Sequence, residues 1–123
     1  MMREPDDFDD AMARLLAPGQ RIFVGASSNE PAGLLARLAD VALPREPTFV
    51  QFPIGGLNAT DFTALQPTAR LTTFFMTPTL AKADTARVDF VPMQMRAVYD
   101  YLRRGIDVAL LQVAYDADGV LRL

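Results

Sequence analysis

Short apolar runs alternate with stretches in which apolar residues recur every three or four positions, and the rhythm repeats along most of the 123-residue chain. The runs predict strands at residues 21–26 (RIFVGA), 48–54 (TFVQFPI), 68–76 (TARLTTFFM), 88–92 and 107–114 (DVALLQVA). The helical spacing predicts a helix over 6–16, with Phe8, Met12, Leu15 and Leu16 on one face. A second is expected over 31–42, with Pro31 in its first turn and Leu34, Leu35, Leu38, Val41 and Ala42 inward. Shorter helices are expected at 59–65 and at 77–86, the latter with Thr77 as N-cap and Pro78 behind it. The last helix, 93–104, turns Met95, Val98, Tyr101 and Leu102 inward and stops at Gly105.

Strands that alternate with helices define an α/β domain whose mostly parallel sheet is flanked by helices. The apolar run within 107–114 predicts a central strand covered on both faces. Gly19 and the Asp116-Ala117-Asp118-Gly119 stretch read as turns. The mainly apolar stretch 120–123 (VLRL) reads as the start of a further strand, so the expectation is one domain of a longer protein. Ligands of such sheets bind at the carboxyl ends of the strands. That brings forward the loops at 25–29, 53–58, 75–78 and 92–94.

Composition narrows the chemistry. The chain is 50% hydrophobic and 22% charged, which suits a folded domain, and its net charge is −3. Without a basic stripe it is not expected to bind nucleic acid. Without a long apolar run it is not expected to enter a membrane. The acidic start, MMREPDDFDD, is unlike a targeting signal, so the cytoplasm is the default location. There is no Cys and no His, which removes thiol nucleophiles, zinc-thiolate sites and imidazole bases.

The first loop offers Gly25, Ala26, Ser27, Ser28 and Asn29: small residues, two hydroxyls and backbone amides that can hold a carboxylate, a phosphate or an oxyanion. A tight strand-to-helix turn explains the same residues. The second loop offers Pro53, Gly55, Gly56 and Asn58, whose glycines let a ligand approach the backbone closely, or make a plain loop. Ser27 and Ser28 lack the setting of an activated nucleophile. Glu30 has a sufficient role at a helix start. Phe74, Phe75 and Met76 read as core, Met93 and Met95 as packing, Asp89 and Asp107 as strand-start residues, and Lys82 as exposed. The acidic quartet Asp6, Asp7, Asp9 and Asp10 reads as a capped helix start and not as a metal site.

The order of the pieces PGQRIFVGASSNEP, PAGLLARLADVAL, the Gly55-Gly56 loop, ARLTTFFMTPTLAKADTARVDFVPM and DVALLQVAYDADG resembles the N-terminal domain of the acetyl-CoA hydrolase/transferase family, which includes 4-hydroxybutyrate and acetate CoA-transferases. The resemblance runs from about Pro18 to the end. It implies a CoA-transferase-like three-layer fold, with a catalytic Glu in a C-terminal domain outside this chain. That Glu attacks an acyl-CoA thioester, and a glutamyl-CoA thioester follows. This half then forms one wall of the acyl or carboxylate cleft, with the 25–29 and 53–58 loops as its binding residues. It contains no catalytic residue and no metal, and coenzyme A enters as the thioester substrate. Ala114-Tyr115 and Asp118-Gly119 stand where family members often carry Pro-Pro and a His-Gly turn.

Two other readings suit the same residues. One is a stand-alone module, or partner subunit, that binds a carboxylate or sugar phosphate. The other is an interaction domain that forms a homodimer through an open sheet edge.

Overall fold

Arg21–Val24 (β1), Thr48–Gln51 (β2), Arg70–Thr73 (β3), Val88–Phe90 (β4) and Val108–Leu110 (β5) form one parallel sheet in the order β4-β3-β2-β1-β5. The structure is a computed structural model and describes residues 7–123. Ile22 of β1 lies opposite Phe49 of β2 and Val108 of β5, and Phe49 lies opposite Leu71 of β3. Because side chains alternate across a strand, this register sends Ile22, Phe49, Leu71 and Val108 to one face. There they meet Met12 and Leu16, together with Leu35 and Leu38, in the main core. Phe49 and Phe62 stack at its centre with ring centroids 5.0 Å apart.

Helix α1 (Phe8–Leu15) and helix α2 (Ala32–Leu38) supply that core layer. Asp7 caps α1, its carboxylate accepting the Asp9 amide at 2.8 Å. The Asp6 end of the expected helix lies outside the described residues. Leu15, expected inward, is 44% exposed, because the stripe narrows to Met12 and Leu16 with Phe8 half-buried. The Arg37 guanidinium sits 3.8 Å from the centre of the Phe8 ring and ties α2 to α1.

Helix α3 (Met95–Leu102) lies against the other face. Val98 packs with Val50 and Phe74 there, and the Tyr101 ring meets Phe74 edge-on at 5.3 Å. Helices therefore flank the sheet on both sides. Met95, expected inward, is 70% exposed at the open start of α3. Gly105 ends the helical stretch at φ +80, the conformation that such a stop demands.

Three expectations are corrected. The helix expected over 31–42 is cut to Ala32–Leu38, and Pro31 occupies the position before it, with ψ 69. The helices expected at 59–65 and 77–86 are short 3-10 turns, one in the first (Phe62–Ala64) and two in and around the second (Leu80–Lys82 and Thr85–Arg87). Asp61 and Asp84 accept the amides of Thr63 and Ala86, and such local bonds compete with a continuous helix. Thr77 keeps a capping contact, its hydroxyl accepting the Leu80 amide at 3.3 Å.

The third correction concerns the run 107–114. It divides into β5 and a separate strand, Ala114–Tyr115 (β6), which pairs antiparallel with Leu121–Arg122 (β7). β5 pairs only with β1 and is an edge strand, with Val108 and Leu110 buried and Ala109 exposed between them. Apolar character alone cannot separate a central strand from an edge strand, since pairing depends on distant segments.

Candidate functional site

The strand order reverses at β1. The connection through α2 carries the chain from β1 to β2 on one face. The connection through α3 returns it from β4, past three strands, to β5 on the other. The reversal singles out the carboxyl ends of β1 and its neighbours. This is where open parallel sheets hold ligands.

Gly25 directly follows β1 at this edge. Its amide donates to the Leu110 carbonyl at 2.9 Å, the last rung between β1 and β5. A Cβ on Gly25 would lie 2.9 Å from the Asn29 carbonyl oxygen, so the close turn back over β1 requires glycine. Ser27–Asn29 form a 3-10 turn in which Ser27 takes φ +58.

Two buried amide side chains join this loop to the one after β2. Asn58 Oδ1 accepts the Ser27 and Ile54 amides, each at 2.9 Å, and Asn58 Nδ2 donates to the Ser27 carbonyl at 3.1 Å. Gln51 Nε2 donates to the Gly25 carbonyl at 3.2 Å and to Glu30 Oε2 at 2.7 Å. Both amides are almost wholly buried, and these bonds satisfy them.

The nine residues proposed from sequence thus come together, in two roles. Gly25, Pro53 and Asn58 are buried and form the frame. Ser28, Asn29, Gly55 and Gly56 are exposed along the rim, with Ala26 and Ser27 half-buried between. Gly56, at φ +85, has the positive φ that favours glycine, whereas a Cβ at Gly55 would meet open space. Gln51 was the missed member of the frame, and Glu30, expected at a helix start, instead joins the frame through Gln51, since α2 begins at Ala32 with no acidic residue in its first turn. The available signal was a Gln ending an apolar strand, which needs a partner if buried.

The rim holds no activated side chain. Among the described residues no side-chain hydrogen bond joins the Ser27 or Ser28 hydroxyl to a base, and Glu30 is engaged by Gln51. Backbone amides and hydroxyls remain, which suit an anionic or carbonyl oxygen. The neighbouring loop contributes less than expected to the core. Phe74 is buried, but Phe75 and Met76 are exposed, and the Thr73 hydroxyl donates to the Phe75 carbonyl at 2.7 Å. Lys82 is exposed, Met93 is half-buried in the α3-side cluster, and Asp107 lies before β5, where its carboxylate accepts the Arg21 amide. Asp89, expected at a strand start, is the middle residue of β4 and pairs with Arg70 at 3.6 Å.

Among the described residues no three His, Cys, Asp or Glu side chains gather as a metal site, and no helix is long and apolar enough to cross a membrane. No family model, curated protein or solved structure matches this chain. What is established is an α/β domain with a five-stranded parallel sheet, helices on both faces and a two-loop rim at its topological switch.

Proposed function

We propose that this chain is the N-terminal domain of an acyl-CoA:carboxylate CoA-transferase or an acyl-CoA (acetyl-CoA) hydrolase of the cytoplasm, with the CoA-transferase-like fold. The observation that carries the reading is the pairing of the two loops through Asn58. It makes one polar wall from the 25–29 and 53–58 segments at the carboxyl edge of the sheet. The wall has oxygen-binding groups and no free proton-transfer group, which is what a domain needs that orients an acyl or carboxylate group for a nucleophile supplied elsewhere. The nucleophile is a Glu of a C-terminal domain of the same protein. Its carboxylate oxygen attacks the thioester carbonyl and the CoA thiolate leaves; that thiolate then attacks the glutamyl carbonyl, releasing the acid and leaving the glutamyl-CoA thioester. In the transferase CoA passes on to a second carboxylate; in the hydrolase water attacks the glutamyl carbonyl, CoA leaves as the thiol and the Glu carboxylate is restored.

The test is an amide NMR titration of the chain with acetate, alongside an assay with acetyl-CoA. Acetate is expected to move the amides of Ser28, Asn29, Gly55 and Gly56, with no turnover of acetyl-CoA. Turnover by the chain alone, or acetate shifts that avoid these loops, would overturn the reading.

The open edge of β5 favours a second reading, in which the chain is a partner subunit or self-associates. Leu111 and Val113, which follow that edge, are 41% and 46% exposed. Sedimentation of the chain across a concentration series separates this reading from a monomeric binding module.

A further inference from the structure

The opposite, amino edge of the sheet carries a groove with different chemistry. It encloses about 830 Å³ and is lined by Arg21, Asp100, Tyr101, Arg103 and Arg104. Arg21 opens β1, and the other two arginines directly follow α3. The groove therefore lies one strand length, about 13 Å, from the Gly25 rim.

Three arginines line this groove in a chain of net charge −3. None of them forms an ion pair with a carboxylate among the described residues. The Asp100 carboxylate in the same groove and the Asp107 carboxylate, which accepts the Arg21 amide at 2.8 Å, offset two of the three charges and leave the site net positive. Arg21 is held in place: its Nη2 donates to the Tyr101 hydroxyl at 2.8 Å, and its Cδ and Nε lie 4.0 Å from where a Gly105 Cβ would stand. The C-terminus of α3 repels anions weakly, but planar guanidiniums bind phosphate oxygens through paired, charge-assisted hydrogen bonds that outweigh it.

A second hollow, of about 270 Å³, adjoins the first and shares Arg103. Its remaining walls are Phe23, Tyr99, Leu102 and Ile106. Arg103 lies 5.8 Å from the centre of the exposed Tyr99 ring, so its charge borders both hollows. A cationic cluster next to an apolar, aromatic shelf selects a ligand with an anionic and an aromatic part.

We propose that this composite groove binds an organic diphosphate, the phosphates on Arg21, Arg103 and Arg104 and an aromatic body on the shelf of Tyr99, Leu102 and Ile106. The inference is independent of the carboxyl-edge reading and uses none of its residues.

The test is an amide NMR titration of the 123-residue chain at fixed ionic strength with ADP, inorganic pyrophosphate, adenosine and sodium sulfate. ADP and pyrophosphate are expected to give saturable shifts at Arg21, Arg103 and Gly105 while the 25–29 loop stays still. ADP should bind more tightly than pyrophosphate because its base stacks. Arg104→Ala should weaken both about tenfold, and Arg103→Ala should also remove the advantage of ADP. Both side chains are exposed, and Arg104→Gln carries the same expectation should an alanine variant fail to fold. Four results would overturn the proposal: no saturation, equal shifts with sulfate, shifts centred on the 25–29 loop, or variants that bind as the parent does. Equal affinity for ADP and pyrophosphate would overturn the aromatic part.

Discussion

Asn58 and Ser27 bond to each other reciprocally: the Ser27 amide donates to Asn58 Oδ1 at 2.9 Å, and Asn58 Nδ2 donates to the Ser27 carbonyl at 3.1 Å. A side-chain amide thereby imitates a backbone partner across 31 residues of sequence and fixes a non-glycine residue at φ +58. Replacing Asn58 with Ala leaves the Ser27 amide, the Ser27 carbonyl and the Ile54 amide without their partner. We expect a loss of about 2–3 kcal/mol by urea denaturation. Hydrogen-exchange protection at Ser27 and Ile54 should fall with it. Unchanged protection at these amides would show that the loops hold together by other means.

Gly25 and Gly33 should respond to Ala with opposite signs. At Gly25 the new Cβ would lie 2.9 Å from a backbone oxygen, so the turn must open, at a cost of about 2 kcal/mol. Gly33 lies within α2 with nothing inside 4 Å of its would-be Cβ, so Gly33→Ala should stabilise by about 0.5–1 kcal/mol. Thermal melts of both variants beside the parent decide the matter.

Arg87 is the clamp of the β3–β4 side. Its Nη1 points at the carbonyls of Thr63, Gln66, Pro67 and Ala69, and its Nε donates to Asp84 at 2.8 Å. Arg87→Ala should cost about 2 kcal/mol in denaturant unfolding. Arg87→Lys should recover little of it, since an ammonium cannot reproduce the planar fork. Full recovery by Lys would reduce the clamp to a charge effect.

Two carboxylates should report on acid stability. The Asp84 carboxyl is held below its ordinary value of 3.8, chiefly by the Arg87 hydrogen bond and then by the Ala86 amide. The Asp116 carboxyl is held below 3.8 chiefly by the Val120 amide and then by Arg122, which lies 2.9 Å away. Each group binds its proton less readily when folded, so its contribution is complete above the unfolded value and disappears as the pH falls through the folded one. The β6–β7 hairpin should therefore loosen below the usual carboxylate range. Carboxyl NMR titrations should show both midpoints under 3.8, and Asp116→Asn should remove the acid sensitivity of the hairpin amides.

The sequence by itself determined the alternation of strands and helices, the α/β class and the parallel sheet, because apolar runs and helical spacing are local signals. It also placed the residues of the 25–29 and 53–58 loops at strand ends, since glycine and small polar residues mark where a chain leaves a strand. Helix lengths were less legible. Asp61 and Asp84 drew backbone amides into local turns, and that competition is decided by geometry, not by periodicity.

Only the tertiary structure decided that β5 lies at an edge beside β1, that Gln51 and Asn58 turn inward to join the two loops, and that Arg21, bonded to Tyr101 across 80 residues, lines one groove with Arg103 and Arg104. Each of these depends on which distant segments pair. The free energy of that pairing comes from the burial of Ile22, Phe49 and Leu71 with their helical partners. Apolar residues carry the drive to pair, but the choice of partner emerges only once the whole sheet has closed over its core.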